Sequence, residues 1–152
     1  MSAHVLRLDL PAAHKGVRVA RNVARNFVRL LGIKDKEVDQ LVLVVSELLA
    51  NAIDHGGGEA AMDADELSKD VRMQLCLVVG EEQWELSVTD QGEGSVEEVR
   101  RLITPPDGIP DLEDDRGRGF FLMAQMVDRL EVEESEEGRG LTFRALRRYG
   151  DG

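Results

Sequence analysis

Glu47-Leu48-Leu49-Ala50-Asn51-Ala52-Ile53-Asp54-His55-Gly56 closes a long apolar segment, and the reading of this stretch decides how the rest of the chain is placed. At helical period, Val38, Leu41, Val42, Val45, Leu48, Leu49 and Ala52 form one broad stripe, whereas Glu47, Asn51, Asp54 and His55 recur on another face. The spacing predicts a helix capped by Asp35 and running to about His55, stopped by Gly56-Gly57-Gly58. Such a helix sets a carboxylate and an amide one turn apart. An amide oxygen can hold a divalent cation without adding charge, and a carboxylate beside it can accept a proton. A solvated polar face gives the same pattern, so the flanking sequence has to decide between them.

Upstream, His4-Val5-Leu6-Arg7-Leu8-Asp9-Leu10 alternates as an edge strand that Pro11 closes. A helix is expected next, with Val17, Ala20, Ala24, Phe27, Val28 and Leu31 on one face and Gly32 at its end. Arg18, Arg21, Arg25 and Arg29 fall within about 80° of arc on another face. No acidic residue stands between Ala12 and Leu31, so these arginines have no local partners and suit a docking surface.

Downstream, residues 56–70 mix glycines, acids and small residues without a strand pattern and read as a surface loop. Val71, Met73, Leu75, Leu77 and Val79 then alternate, Gly80-Glu81-Glu82-Gln83 turns, and Trp84, Leu86 and Val88 alternate again, which predicts a hairpin. Asp90 shares the parity of Trp84, Leu86 and Val88 and therefore points to the buried side. An ionised group there costs several kcal/mol unless compensated, so Asp90 needs hydrogen-bond donors from protein, water or ligand.

Gly92 and Gly94 follow at once and permit close backbone or ligand approach. Residues 95–103 form a short helix pattern that Thr104-Pro105-Pro106 cannot continue, and the acidic stretch to Asp115 suits a mobile lid. Arg116-Gly117-Arg118-Gly119 reads as a glycine turn feeding an apolar helix to about Asp128, a place where backbone N–H groups and an arginine can meet an anion. Leu130-Glu131-Val132 and the run Leu141 to Leu146 close the chain as a second hairpin.

Composition bounds the class. With 152 residues, 42% of them hydrophobic, the chain is long enough for one domain with a core of its own. A lone Cys76 excludes an internal disulfide framework or a cysteine zinc cluster and is expected as a buried, inert thiol. No secretory or membrane-spanning segment is visible, so a cytoplasmic protein is expected. A net charge of −11 argues against binding nucleic acid. The charge is uneven: residues 1–36 carry eight Lys and Arg against two Asp, a net of +6, and the remaining 116 residues carry −17. A basic face opposite an acidic partner is the natural use of that asymmetry.

Glu47 with Asn51, Asp90-Gln91-Gly92-Glu93-Gly94, and Gly117-Arg118-Gly119 occur in the order and spacing of the GHKL ATPases. The sequence most resembles the bacterial anti-sigma-factor serine kinases, from the strand near Val5 to that near Phe143, with ELLANAIDHG and RGRGFFLM carrying most of the likeness. The resemblance implies an α/β (α+β) two-layer sandwich of the Bergerat ATP-binding type, a mixed, mostly antiparallel sheet with helices on one face, in a single domain over 1–152. It implies ATP and Mg2+ as cofactors, Asn51 as the Mg2+ ligand, Glu47 as general base on a serine hydroxyl, and Asp90 as acceptor from the adenine amino group. Gly92 and Gly94 would admit the nucleotide, Gly117 and Gly119 would shape the phosphate loop, Arg116 or Arg118 would meet the phosphates, and residues 95–115 would be the lid. Thr142 matches the adenine-side threonine, although strand parity sets it opposite Leu141 and Phe143.

The function implied is that of a protein-serine kinase and anti-sigma factor. It would bind a sigma factor and phosphorylate a STAS-type antagonist, with Arg18, Arg21 and Arg25 in the docking surface and a homodimer as the assembly. A nucleotide-dependent binding switch without phosphotransfer fits the same motifs. A histidine-kinase catalytic half fits less well, since the chain leaves no room for a phosphoacceptor hairpin.

Overall fold

The computed structural model describes residues 3–56, 62 and 71–150. In chain order these form β1 (His4–Pro11), α1 (His14–Leu30), α2 (Asp35–His55), β2 (Arg72–Val79), β3 (Gln83–Thr89), α3 (Val96–Ile103), α4 (Asp115–Met126), β4 (Arg129–Glu134) and β5 (Leu141–Arg148). The loop expected over 56–70 lies outside the described residues except for Gly56 and Met62.

The strands make one five-stranded sheet in the order β1-β2-β3-β5-β4. Each of its four pairings is antiparallel, so among the described residues the sheet is not mixed. Alternation along the strands sends Met73, Leu75, Leu77, Trp84, Leu86, Val88, Phe143 and Ala145 to one buried face, onto which the helices pack. The α/β two-layer fold implied by the resemblance is the fold found. Cys76 alternates away from the core and is half-buried on the outer face beside Ser87, so it is not the buried thiol expected.

Helix α2 carries the fold because it is covered twice, by the sheet and by α1. Val38, Leu41, Val45, Leu48 and Leu49 are inaccessible, and so are Val44 and Ile53 outside the single stripe. Each such side chain contributes roughly 1.5–3 kcal/mol on burial. Lys34, not Asp35, is the N-cap residue, and it offers no side-chain cap. Asp35 and Glu37 instead occupy the first turn, where the helix dipole favours acids. Gly32 follows α1 with φ 81°, the left-handed conformation that a helix-ending glycine supplies without strain.

Candidate functional site

Helix α2 ends where α4 begins, and the two build a cleft of about 130 Å3. Glu47, Asn51, Asp54 and His55 line it from α2; Arg116, Gly119 and Phe120 line it from α4. The Arg116 Nε donates to Asn51 Oδ1 at 2.8 Å, and the guanidinium lies 5.6 Å from the Phe120 ring centroid. Phe120 stacks in turn on Phe143 of β5, with centroids 5.8 Å apart and planes 17° from parallel, so the sheet fixes the arginine's platform. Burial lowers the pKa of Arg116, opposed by the charges of Asp90 and Asp114. Burial and the charge of Arg116 lower the pKa of His55, opposed by Asp54 and Asp114. The Nε2 of His14 pairs with Asp54 Oδ1 at 2.9 Å and ties the start of α1 to the end of α2.

Gly119 lies against Glu47: a Cβ built on it would come within 3.5 Å of Glu47 Oε2. A side chain at position 119 would therefore stand over the carboxylate. Asn51 is 8% exposed, and its Nδ2 is buried without a hydrogen-bond partner among the described residues. The donor set of a carboxylate and an amide oxygen suits Mg2+, which ordinarily takes one or two protein oxygens and completes its shell with phosphates and water. Glu47 and the Asn51 amide oxygen are the groups here whose chemistry fits a Mg2+ ion, the amide oxygen being engaged by Arg116 in this structure.

Asp90 stands next to this cleft at the end of β3 and is 3% exposed. Its Oδ1 accepts from Gly92 N at 3.0 Å and from Leu141 N at 3.0 Å. The protein itself thus supplies donors that parity reasoning demanded. Burial raises the Asp90 pKa, opposed by those two N–H bonds and by the charge of Arg116. Three glycines crowd it. A Cβ on Gly56 would meet Asp90 Oδ2 at 2.5 Å, one on Gly140 would meet the Asp90 carbonyl oxygen at 2.0 Å, and one on Gly92 would meet the Gly56 carbonyl carbon at 2.6 Å. Gly56, Gly140 and Leu141 were not among the candidates from sequence; only the juxtaposition of chain ends reveals them.

Other candidates fall elsewhere. Gly94 approaches Leu141 Cδ1, at 3.1 Å from a built Cβ. Gly117 and Gly119 are not a loop: α4 already starts at Asp115, and the Asp114 side chain caps it by accepting from Arg116 N and Gly117 N. The cap supplies the acceptor for N–H groups that a glycine turn was expected to leave free. Gly117 is needed as glycine because a Cβ would come 2.9 Å from the Asp111 carbonyl oxygen. Arg118 turns outward, donating to Leu112 O at 3.1 Å and pairing with Asp115.

Thr142 is corrected by the register: it pairs with Thr89 across the outer face of the sheet, hydroxyl to hydroxyl at 2.9 Å, while Phe143 faces the helices. Its hydroxyl is therefore separated from Asp90 by the sheet. Within residues 95–115, α3 is packed through buried Val99 and an Arg100 Nη2 bond to Val132 O at 3.3 Å, which leaves 104–114 as the irregular stretch. Arg18, Arg21 and Arg29 are exposed and Arg25 half-buried, and none forms an ion pair among the described residues.

A five-stranded sheet with helices on one face, and a carboxylate, an amide and a buried aspartate gathered at one end, define a nucleotide-binding α/β domain. The chain belongs to the histidine kinase-like ATPase domain family, whose family model matches residues 10–145. Membership implies ATP binding. The chain is 29% identical to the anti-sigma F factor of Clostridium acetobutylicum over 92% of its length and 90% of the relative's. It is 28% identical to the anti-sigma F factor of Clostridium novyi over 90% of each. Among solved structures, the SiaB-SiaC complex from Pseudomonas aeruginosa contains a chain of the same fold, with a TM-score of 0.67 and 17% identity, matched over 93% of this chain and 89% of that one. No helix among the described residues is long and apolar enough to cross a membrane.

Proposed function

We propose that the chain is an ATP-dependent protein-serine kinase that doubles as an anti-sigma factor, binding a sigma factor and phosphorylating a STAS-type antagonist protein in the cytoplasm. The observation that carries this reading is the convergence of Glu47, Asn51 and Arg116 on one cleft. Phosphoryl transfer asks a protein mainly for positioning and charge neutralisation, and these three groups offer a base, a metal ligand and a cation. Mg2+ would supply charge neutralisation on the phosphates. Glu47 is the base for the incoming serine hydroxyl, a role worth about 10²–10⁴ in rate. Arg116 is the phosphate-facing cation, and Asp90 accepts from the adenine. The cleft, at about 130 Å3, is smaller than the ~300–1,000 Å3 of ligand sites, so nucleotide entry requires Arg116 to leave Asn51 and 104–114 to shift as a lid.

The anti-sigma assignment draws on the names of the relatives and on the arginine face of α1, where Arg18, Arg21 and Arg25 project without ion-pair partners among the described residues. A homodimer is the proposed assembly. Radiolabelled ATP with Mg2+ and a candidate antagonist tests the chemistry: label should appear on serine, and Glu47→Gln should abolish transfer while ATP still binds. ATP binding without label on any antagonist would refute the kinase and leave a nucleotide-dependent binding switch. Charge reversal at Arg21 and Arg25 should weaken partner binding without altering ATP affinity, and unchanged partner binding would refute the docking face.

A further inference from the structure

The far end of the sheet holds a larger space than the nucleotide cleft. Between the α1–α2 turn, the β2–β3 turn and the end of β5 lies a cavity of about 550 Å3, within the ~300–1,000 Å3 range of small-molecule sites. Glu37, which lines it, precedes Asn51 by 14 residues on α2, or roughly 21 Å along the helix axis. The two spaces are therefore distinct.

The walls are of two kinds. Leu31, Ile33, Val79 and the Tyr149 ring form an apolar side, with Tyr149 held by its hydroxyl donating to Gly80 O at 3.2 Å. Lys34, Lys36 and Arg147 form a cationic side. The Nε and Nη2 of Arg147 donate to Glu37 at 3.2 Å each, which fixes the guanidinium and leaves Nη1 as the nitrogen not spent on that pair. Glu37 is paired in this way, which leaves the exposed Glu81 as the other acid of the lining, while Asp35 stands between Lys34 and Lys36 in the first turn of α2. The first turn of α2 opens at Lys34 without a side-chain cap, which adds unpaired N–H groups on the cationic side. In a chain of net charge −11, three cations against two acids in one lining is a concentration of positive charge.

We propose that this cavity is a second ligand site, taking small organic anions whose carboxylate or phosphate meets Lys34, Lys36 and Arg147 while an apolar body lies against Leu31, Ile33, Val79 and Tyr149. The proposal does not depend on the nucleotide reading.

The chain carries its own reporter. Trp84 is its single tryptophan, is buried, and is paired across the sheet with Val79 and Arg147, both of which line the cavity. Its indole Nε1 has no hydrogen-bond partner among the described residues, so its emission responds to changes in local polarity. The full chain is titrated with phenyl phosphate and with benzoate, with benzyl alcohol as the uncharged control, and Trp84 fluorescence is followed. Solution NMR tracks the Gly32 and Gly80 amides in parallel. At least one anion should give a saturable change and move both amides, and saturating ATP with Mg2+ should not displace it. Lys34→Gln with Lys36→Gln should weaken binding about tenfold without lowering the melting temperature, because the two exposed cations sit at the N-terminus of α2, where the helix dipole disfavours them. The proposal is overturned by the absence of saturation with either anion, by equal affinity for benzyl alcohol, by an unaffected double variant, or by shifts confined to residues around Asn51.

Discussion

Replacing Gly140 by alanine separates two ways in which a glycine can be indispensable. Gly138 and Gly140 have φ 77° and 89° in the same turn before β5, but a Cβ on Gly138 meets nothing within 4 Å, whereas one on Gly140 lies 2.0 Å from the Asp90 carbonyl oxygen. Alanine at either position meets the left-handed penalty of about 1–2 kcal/mol. At Gly140 the chain segments must also part by about 1 Å, since real Cβ atoms essentially never approach closer than 3.0 Å. That movement breaks Leu141 N to Asp90 Oδ1 and Asp90 N to Leu141 O, both 3.0 Å. The first is worth about 1.5–3 kcal/mol and the second about 0.5–1.5. Gly140→Ala should therefore cost roughly 3–6 kcal/mol in total and Gly138→Ala about 1–2. With a urea slope of about 2 kcal/mol/M, the midpoint should fall by about 1.5–3 M in the first variant and 0.5–1 M in the second. An unfolded Gly140→Ala beside a folded Gly138→Ala agrees with the reasoning, because domains have only about 5–15 kcal/mol to lose. Equal shifts in the two variants would refute it.

Asp90→Asn keeps an acceptor for Gly92 N and Leu141 N but cannot ionise. Because burial raises the folded pKa of Asp90 above 3.8, its contribution to stability is complete below that pH and is lost as pH rises through the folded pKa. The variant should therefore equal or exceed the wild type in stability at pH 7, the difference vanishing below pH 3.8, while calorimetry shows ATP affinity reduced about tenfold or more. A variant destabilised at pH 7 by more than about 1 kcal/mol contradicts that sign. Thr142→Val should lose about 0.5–1.5 kcal/mol with its Thr89 partner and leave ATP affinity unchanged, whereas weakened ATP binding would place that hydroxyl in the site. Arg147→Met strands Glu37, 7% exposed, without its partner and should cost about 3–5 kcal/mol by denaturation, most of it recovered on adding Glu37→Leu. No recovery in the double variant would show that packing, not charge, is what the substitution removed.

Periodicity made most of this architecture legible. The stripe from Val38 to Ala52 identified α2, alternation found the hairpin of β2 and β3, and parity alone put the Asp90 carboxylate inside. Where reading failed, the cause was contact between distant segments. Glycines at 117 and 119 look like a turn in isolation, but Asp114 caps a helix that includes them. Asp35 has the composition of a cap, yet Lys34 takes the position because the chain enters α2 one residue earlier. The motif likeness of Thr142 pointed to the nucleotide, and its alternation with Phe143 pointed away; the ring stack of Phe143 on Phe120 decides for alternation. The pair Glu37 and Arg147 joins positions 110 residues apart and leaves no local trace in the sequence.

The strand order β1-β2-β3-β5-β4 inserts the latest of the five strands between two earlier ones. During synthesis, β3 and β4 must therefore wait with open edges facing each other until Leu141–Arg148 has left the ribosome, and only then can the sheet close. The contacts that complete the Asp90 surroundings, through Gly140 and Leu141, arrive in that same final step. A nascent chain consequently has no finished nucleotide end before it has a finished sheet.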